Sequence, residues 1–313
     1  TKVDYYPWGE DALEPMLEAL RKAEHYIFIE YFIITPGRFW DSILAILVKK
    51  ASQGVDVRLI YDDLGCASTL TGNYYKLLRS KGIKAYKFSP IIPILDVRMN
   101  NRDHRKIMVI DGKVAFSGGI NLADEYININ SPFGYWKDNA IKITGEAVYS
   151  FTALFFIQWL SISGADISQF DTLSKKYIPY FPDENSKVKT DGYVEPYGDL
   201  PYDDESVGER VYLNLINSAK KYIYITTPYL IIDDEIVNAL INAAKQNVDV
   251  RIITPRIPDK KTVFRITRSH YRLLLKNGVK IYEYVPGFVH AKMFVVDDIY
   301  AVVGTINLDY RSL

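Results

Sequence analysis

Apolar residues along the chain alternate between two rhythms, and the alternation itself repeats. Near the start, DALEPMLEALRKA carries its apolar residues at helical spacing, and EHYIFIEYFII follows as a run of Ile, Tyr and Phe with the look of a buried strand. After Tyr193 the order returns, with ESVGERVYLNLINSAKK as the helix and YIYITTPYLII as the strand. ILAILVKKASQGVDVRLIYDD then matches IVNALINAAKQNVDVRIITP, each a helix ending at Gly54 or Asn247 and a short strand containing VDVR. YYKLLRSKGIKAYKF matches HYRLLLKNGVKIYEY, with Gly82 and Gly278 as helix ends. A leading strand with a Pro-x-Gly turn is expected before each first helix, in VDYYPWGE and again in YVEPYGD. Strands alternating with helices predict α/β layers around a partly parallel sheet, and two such runs predict a pseudo-twofold pair.

The polar, Pro-containing stretch ADISQFDTLSKKYIPYFPDENSKVKT interrupts the pattern, which places a first half over 1–164, a linker over 165–190 and a second half over 191–313. Before its last segment the first half carries an insertion, SPIIPILDVRMNNRDH, where the second has only VPGFVH. After it, the first half continues through a further strand and helix, YWKDNAIKITGEAVYSFTALFFIQW. FTALFFIQWL is too short and too interrupted to span a bilayer; as a helix it reads as core-packing, with a dip into a membrane interface as the alternative.

Composition narrows the function classes. With 313 residues and 48% hydrophobic content there is ample material for a large core. Lys+Arg and Asp+Glu both number 38, so no global basic field exists to recruit nucleic acid or an anionic membrane, and only a local patch could do so. The single Cys66 excludes an intramolecular disulfide framework and reads as a structural thiol. No signal-peptide pattern opens the chain, and a start at TKVDYYPWGE without Met is expected of a trimmed N-terminus.

The candidate chemistry lies at the end of each copy. HRKIMVIDGKVAFSGGINLADEY from His104 and HAKMFVVDDIYAVVGTINLDYRSL from His290 share one frame: His-x-Lys, four residues, Asp, six residues, Gly-[Gly/Thr]-x-Asn. Side chains two apart on a strand share a face, so His104 projects with Lys106 and His290 with Lys292, while Arg105 and Ala291 face the other way. Asp111-Gly112 signals a hairpin turn, and the small residues at 118–119 and 304–305 allow turns that bring Asn121 and Asn307 back toward the His and Lys. An imidazole, an ammonium and an amide suit a tetrahedral phosphate: Lys supplies charge, Asn a directed hydrogen bond, and His a nucleophile or proton carrier near neutral pH. Displacement at phosphorus needs a nucleophile on one side and a proton donor on the other, which two copies supply. His25 and His270 lack the frame and read as structural.

These paired frames resemble the HKD motifs of the phospholipase D superfamily. NRDHRKIMVIDGKVAFSGGINLADEY, GVDVRLIYDDLG and GFVHAKMFVVDD with VGTINLDYRSL are most similar to the bacterial cardiolipin synthase branch. The resemblance implies an α/β fold of two pseudo-twofold related halves packed around mixed sheets, with one shared active site, no cofactor and no metal. It implies phosphatidyl transfer between two phosphatidylglycerol molecules with release of glycerol, through a phosphohistidine formed on His104 while His290 serves as acid and base. Lys106, Lys292, Asn121 and Asn307 would hold phosphate oxygens, and Asp111 and Asp297 would orient imidazoles. Arg98 and Arg102 in the insertion, and Glu125, Tyr135, Trp136 and Asp138 after the first motif, are pocket candidates. A membrane surface is the implied partner and nucleic acid is not; the full-length form would sit at the bacterial cell membrane, with this chain its catalytic core. Rival expectations are hydrolysis by a phospholipase D, transfer to serine by a phosphatidylserine synthase, and a non-catalytic lipid-binding scaffold.

Overall fold

The computed structural model describes residues 1–90, 102–177, 192–199, 205–309 and 312. By its internal packing the chain forms two units, one of residues 1–117, 121–127 and 140–196, the other of 118–120, 128–139 and 197–313.

The first unit is built on β1 (Lys2–Tyr6), α1 (Gly9–Arg21), β2 (Tyr26–Tyr31), α2 (Arg38–Ser52), β3 (Asp56–Asp62), α3 (Tyr74–Ser80), β4 (Lys84–Phe88), β5 (Lys106–Ile110), β6 (Val114–Gly118), β7 (Ala140–Thr144), α4 (Val148–Ser163) and α5 (Phe170–Tyr177). Its sheet has the order β1-β7-β6-β5-β2-β3-β4. β2, β3 and β4 run parallel, joined by helical crossovers, whereas β5 pairs antiparallel with both β2 and β6. All six residues of β2 are buried, which is why YIFIEY reads as an unbroken apolar run rather than an alternation.

The second unit repeats this plan with α6 (Val207–Ser218), β8 (Tyr222–Thr226), β9 (Leu230–Ile231), α7 (Asp234–Lys245), β10 (Asp249–Pro255), α8 (Lys261–Lys276), β11 (Lys280–Tyr284), β12 (Lys292–Val296), β13 (Tyr300–Gly304) and β14 (Leu308–Asp309). Its five-stranded order, β11-β10-β8-β12-β13, is the first unit's β4-β3-β2-β5-β6 in the same directions. The mixed α/β architecture expected from the repeat is therefore present. The leading strand expected at YVEPYGD is not: residues 192–199 are irregular.

One further expectation holds and one changes. The apolar FTALFFIQWL is a core helix: Phe155 and Phe156 of α4 are buried, and Phe28 of β2 stacks on Phe155 at 4.8 Å. The span 165–190 is not a plain linker, because α5 lies inside it and its last residue completes a buried cluster. Tyr177 is 2% exposed; its hydroxyl donates to Asp56 Oδ2 at 2.6 Å and accepts from Arg58 Nη2 at 2.8 Å. Arg58 also pairs with Asp56 at 3.0 Å and lies over the Trp159 ring at 5.0 Å, so α4 and α5 seal one charged cluster between them.

The hairpin expected at Asp111-Gly112 forms, and the second His-x-Lys segment is followed by one in the same place. Asp111 and Gly112 take φ of 52° and 65°, and Asp297 and Asp298 take 54° and 61°, the left-handed pair of a tight hairpin turn. Both first positions carry Asp for a second reason. Asp111 accepts from the backbone N–H groups of Glu24, His25 and Tyr26 at 2.7–2.8 Å, and Asp297 from those of Lys220, Lys221 and Tyr222 at 2.6–2.9 Å. These amides open β2 and β8, so each carboxylate ties a turn to the start of the central strand. This corrects the expectation that Asp111 and Asp297 orient imidazoles, since their oxygens are turned to backbone donors. Asp111→Ala should lower stability by about 2 kcal/mol, because the buried amide of Tyr26 and the partly buried ones of Glu24 and His25 lose their acceptor; Asp297→Ala, on an exposed turn, should lower it less. Denaturant titration of both variants measures the order.

Candidate active site

In the second unit the catalytic candidates gather where β12 begins. His290 is 8% exposed and Lys292 1% exposed. The backbone of residues 135–137 runs beside 286–290, with Tyr135 N–H donating to Pro286 O at 2.9 Å, Lys137 N–H to Phe288 O at 2.8 Å and His290 N–H to Lys137 O at 2.7 Å. Asn128, itself in the left-handed region at φ 56°, clamps this segment: its Oδ1 accepts from Trp136 N–H at 2.7 Å and its Nδ2 donates to Trp136 O at 3.0 Å. The added pairing delivers Asp138 to the imidazole. Asp138 Oδ2 lies 2.7 Å from His290 Nδ1, and its Oδ1 accepts from Asn139 N–H at 2.9 Å.

A fully buried carboxylate needs such partners. Burial opposes the charge on Asp138, but the adjacent His290, the Lys292 cation and the Asn139 amide outweigh it, and its pKa falls below the ordinary carboxylate value. With Nδ1 held by the carboxylate, the imidazole keeps Nε2 as its reacting nitrogen. Space for the carboxylate comes from the first motif: a Cβ at Gly119 would stand 1.9 Å from Asp138 Oδ1. That contact explains the second glycine of Gly118-Gly119. Trp136, 5% exposed, stands with its ring 5.6 Å from the imidazole and 4.9 Å from Phe288, which gives His290 an aromatic wall.

Lys292 Nζ lies 2.9 Å from His290 Nδ1 and donates to the His290 carbonyl. Burial pushes its pKa down to about 7, against the opposing pull of Asp138, Asp309 and Asp259. The ammonium is thus held at a cost that an incoming anion would relieve. Asn307 is 6% exposed on the turn just before β14.

The first unit presents a related set on different supports. His104 lies half-buried with its ring 4.9 Å from Phe32, and Lys106, 1% exposed, sits 5.4 Å from the same ring and donates to the His104 carbonyl. The back-folded lysine is common to both motifs. Arg105 faces the other way, as its position on the strand requires, and meets buried charge: its Nε lies 2.7 Å from Glu30 Oε1 and 3.2 Å from Asp103 Oδ1. Burial, with Asp103 adding to it and Arg105 opposing, raises the Glu30 pKa well above the carboxylate range. Asn121 accepts from Ile33 N–H at 3.0 Å and donates one Nδ2 hydrogen to Tyr126 Oη at 2.8 Å, so one of its N–H bonds is committed within the unit.

The pocket candidates separate. Trp136 packs on His290. Glu125 is half-buried on a short 3-10 turn, Asp124–Ile127, and burial raises its pKa, its own amide opposing and Asp124 adding to the rise. Its neighbour Asp124 accepts from Arg38 and Phe39 N–H at the start of α2. Arg102 donates to Ser89 O at 3.1 Å and lies 3.6 Å from Asp62 Oδ1, so it braces the end of β3. Arg98, with Ile91, Ile92, Ile94, Leu95, Asn100 and Asn101, lies outside the described residues. Sequence reasoning placed Asp138 near the pocket but gave its task to Asp111 and Asp297. The signal for it was the second glycine of the first motif, present in one copy and Thr305 in the other.

Residues 16–154 and 212–313 match the family model described as cardiolipin synthase, PLD-like domain. A cardiolipin synthase of Alkalihalophilus pseudofirmus is 40% identical over 305 residues, covering 97% of this chain and 59% of that protein. A cardiolipin synthase of Geobacillus kaustophilus gives the same identity and coverage. An uncharacterized protein of Streptococcus mutans is 53% identical over 315 residues, 66% of its length. The chain thus spans about three fifths of the named synthases it matches. The crystal structure of phosphatidylserine synthase from Haemophilus influenzae, 15% identical, superposes with a TM-score of 0.68 over 99% of this chain and 79% of that one, a likeness of fold. With the family model covering most of its length, the chain belongs to the cardiolipin synthase, PLD-like domain family.

Proposed function

We propose that the chain is the catalytic part of a cardiolipin synthase, a phosphatidyltransferase that joins two phosphatidylglycerol molecules and releases glycerol. The observation that carries this reading is His290 held by buried Asp138 beside a cation whose charge burial disfavours, in a chain 40% identical to named cardiolipin synthases. In the first step His104 Nε2 attacks phosphorus of one phosphatidylglycerol; the bond to the headgroup glycerol oxygen breaks, and His290 gives that oxygen its proton. In the second step a headgroup hydroxyl of another phosphatidylglycerol yields its proton to His290 and attacks the phosphohistidine. Cardiolipin leaves and His104 is regenerated. Lys106 and Lys292 counter the charge that grows on the non-bridging oxygens, and Asn121 and Asn307 direct hydrogen bonds to them. No described helix is long and apolar enough to cross a membrane; the full-length form is proposed to act at the bacterial membrane.

Incubation with phosphatidylglycerol in detergent should yield cardiolipin and glycerol in equal amounts. Phosphatidic acid alone would identify a hydrolase, and lipid binding with no turnover a scaffold. His104→Ala and His290→Ala should each nearly abolish turnover with the fold retained by circular dichroism.

Asp138→Asn leaves a side chain of the same shape but turns the imidazole tautomer, and should lower kcat by about 10³-fold or more with little change in KM. Asp111→Asn, measured alongside, should keep kcat in the folded fraction; equal losses in the two variants would overturn the assignment of Asp138.

The lowered pKa of Lys292 also has a consequence for stability. The unfolded chain holds that proton to about pH 10.5, while the folded chain releases it near 7. Between those values the unfolded state binds more protons, so this residue makes stability rise with pH across the window. Lys292→Met should flatten the rise in a set of denaturant titrations between pH 7 and 10, and should remove activity.

A further inference from the structure

α8 concentrates positive charge in a chain whose total charge is balanced. It carries Lys261, Arg265, Arg268, Arg272 and Lys276 and no carboxylate. Steps of four, three, four and four residues put all five on one stripe of the helix. Only Thr267 and Leu274 of the helix are buried, whereas Ile266, Leu273 and Leu275 are 42%, 51% and 50% exposed.

Nearby carboxylates account for part of the charge. Glu283 on β11 takes Arg268 at 2.7 Å and Arg256 at 2.7 Å. Asp259 accepts from the Tyr229 hydroxyl, and Lys260 lies over the Tyr229 ring. Lys261, Arg265, Arg272 and Lys276 are exposed and enter no ion pair among the described residues.

The loop that leads into this stripe passes beside the segment that carries Trp136. Ile257, in the loop that leads into α8, reaches Gly134. Val285, 72% exposed, precedes Pro286, whose carbonyl accepts from Tyr135 N–H; Tyr135 is 44% exposed. Ile257, Val285 and Tyr135 therefore form an apolar lip next to Trp136, the residue against the imidazole. Cations alone would suit any polyanion. Exposed branched aliphatic side chains flanking the stripe and at the lip favour a partner with a hydrocarbon interior under an anionic surface.

We propose that the outer stripe of α8 and the lip Tyr135–Ile257–Val285 form a docking surface for an anionic phospholipid bilayer. The proposal rests on the lipid-transferase reading above and deepens it, by naming the surface through which the second unit meets its substrate's membrane. Unpaired cations hold the headgroup phosphates, and the lip enters the interface where a diacyl substrate must be drawn out.

The test is co-sedimentation of the chain with vesicles of phosphatidylcholine alone and of phosphatidylcholine mixed with phosphatidylglycerol. Binding is expected to the mixed vesicles and to weaken as salt is raised. Each cation near an anionic surface strengthens partition about fivefold, so the double variant R265E/R272E should bind at least about 25-fold more weakly. That variant should keep parental turnover on detergent-dispersed phosphatidylglycerol. A polarity-sensitive dye on Val285→Cys, with Cys66 buried, should report transfer to an apolar environment on the mixed vesicles. Parental binding by R265E/R272E, or a dye that stays in water, would overturn the proposal. So would indifference to phosphatidylglycerol together with tight binding of single-stranded DNA. Vesicle binding as expected with no cardiolipin formed would leave the docking surface standing and defeat the proposed reaction instead.

Discussion

A carboxylate with no exposed surface, 2.7 Å from an imidazole, sets the terms for much of the second unit. Asp138 can stay charged there only because His290, Lys292 and the Asn139 amide surround it. Each of those partners imposes a requirement elsewhere. The carboxylate needs a residue without Cβ at 119. Its approach needs residues 135–137 to pair with 286–290, and that pairing needs the Asn128 clamp. The aromatic wall of Trp136 and Phe288 then excludes water from the pair, which strengthens it further. A segment that follows the first motif in sequence has thus become part of the second motif's unit.

The two acids of the His-x-Lys frames have a different employment. Asp111 and Asp297 occupy left-handed positions and gather the amides that open the central strands. They fix where β5 and β12 lie against β2 and β8, and so fix where the histidines at the other ends of β5 and β12 project. Their contribution to chemistry is one of scaffold geometry, reached through a whole strand.

Periodicity made the larger plan legible. Helix, buried strand, helix, VDVR strand, helix and strand recur in one order, and both sheets follow it; the Asp-Gly turn correctly joins β5 to β6. What stayed hidden were partnerships across sequence distance. Asp138 and His290 are 152 residues apart, and nothing in local spacing says which of several acids reaches a ring. A spacing rule likewise cannot tell a carboxylate aimed at an imidazole from one aimed at backbone N–H, which is the error made at Asp111. The polar sequence around α5 reads as linker, while its anchoring depends on one tyrosine hydroxyl meeting Asp56 and Arg58.

That cluster has a twin. Asp249, Arg251 and Lys280 repeat Asp56, Arg58 and Lys84, with Tyr224 reaching Asp249 as Tyr177 reaches Asp56. In the first unit α4 and α5 enclose the arginine, whose side chain is 8% exposed; in the second it is 43% exposed. Identical charges therefore meet different dielectric surroundings. Mobile ions penetrate only the open copy, so rising ionic strength loosens the second cluster and leaves the first almost untouched. Two clusters written in the same charged residues respond to the same salt as though they belonged to different proteins.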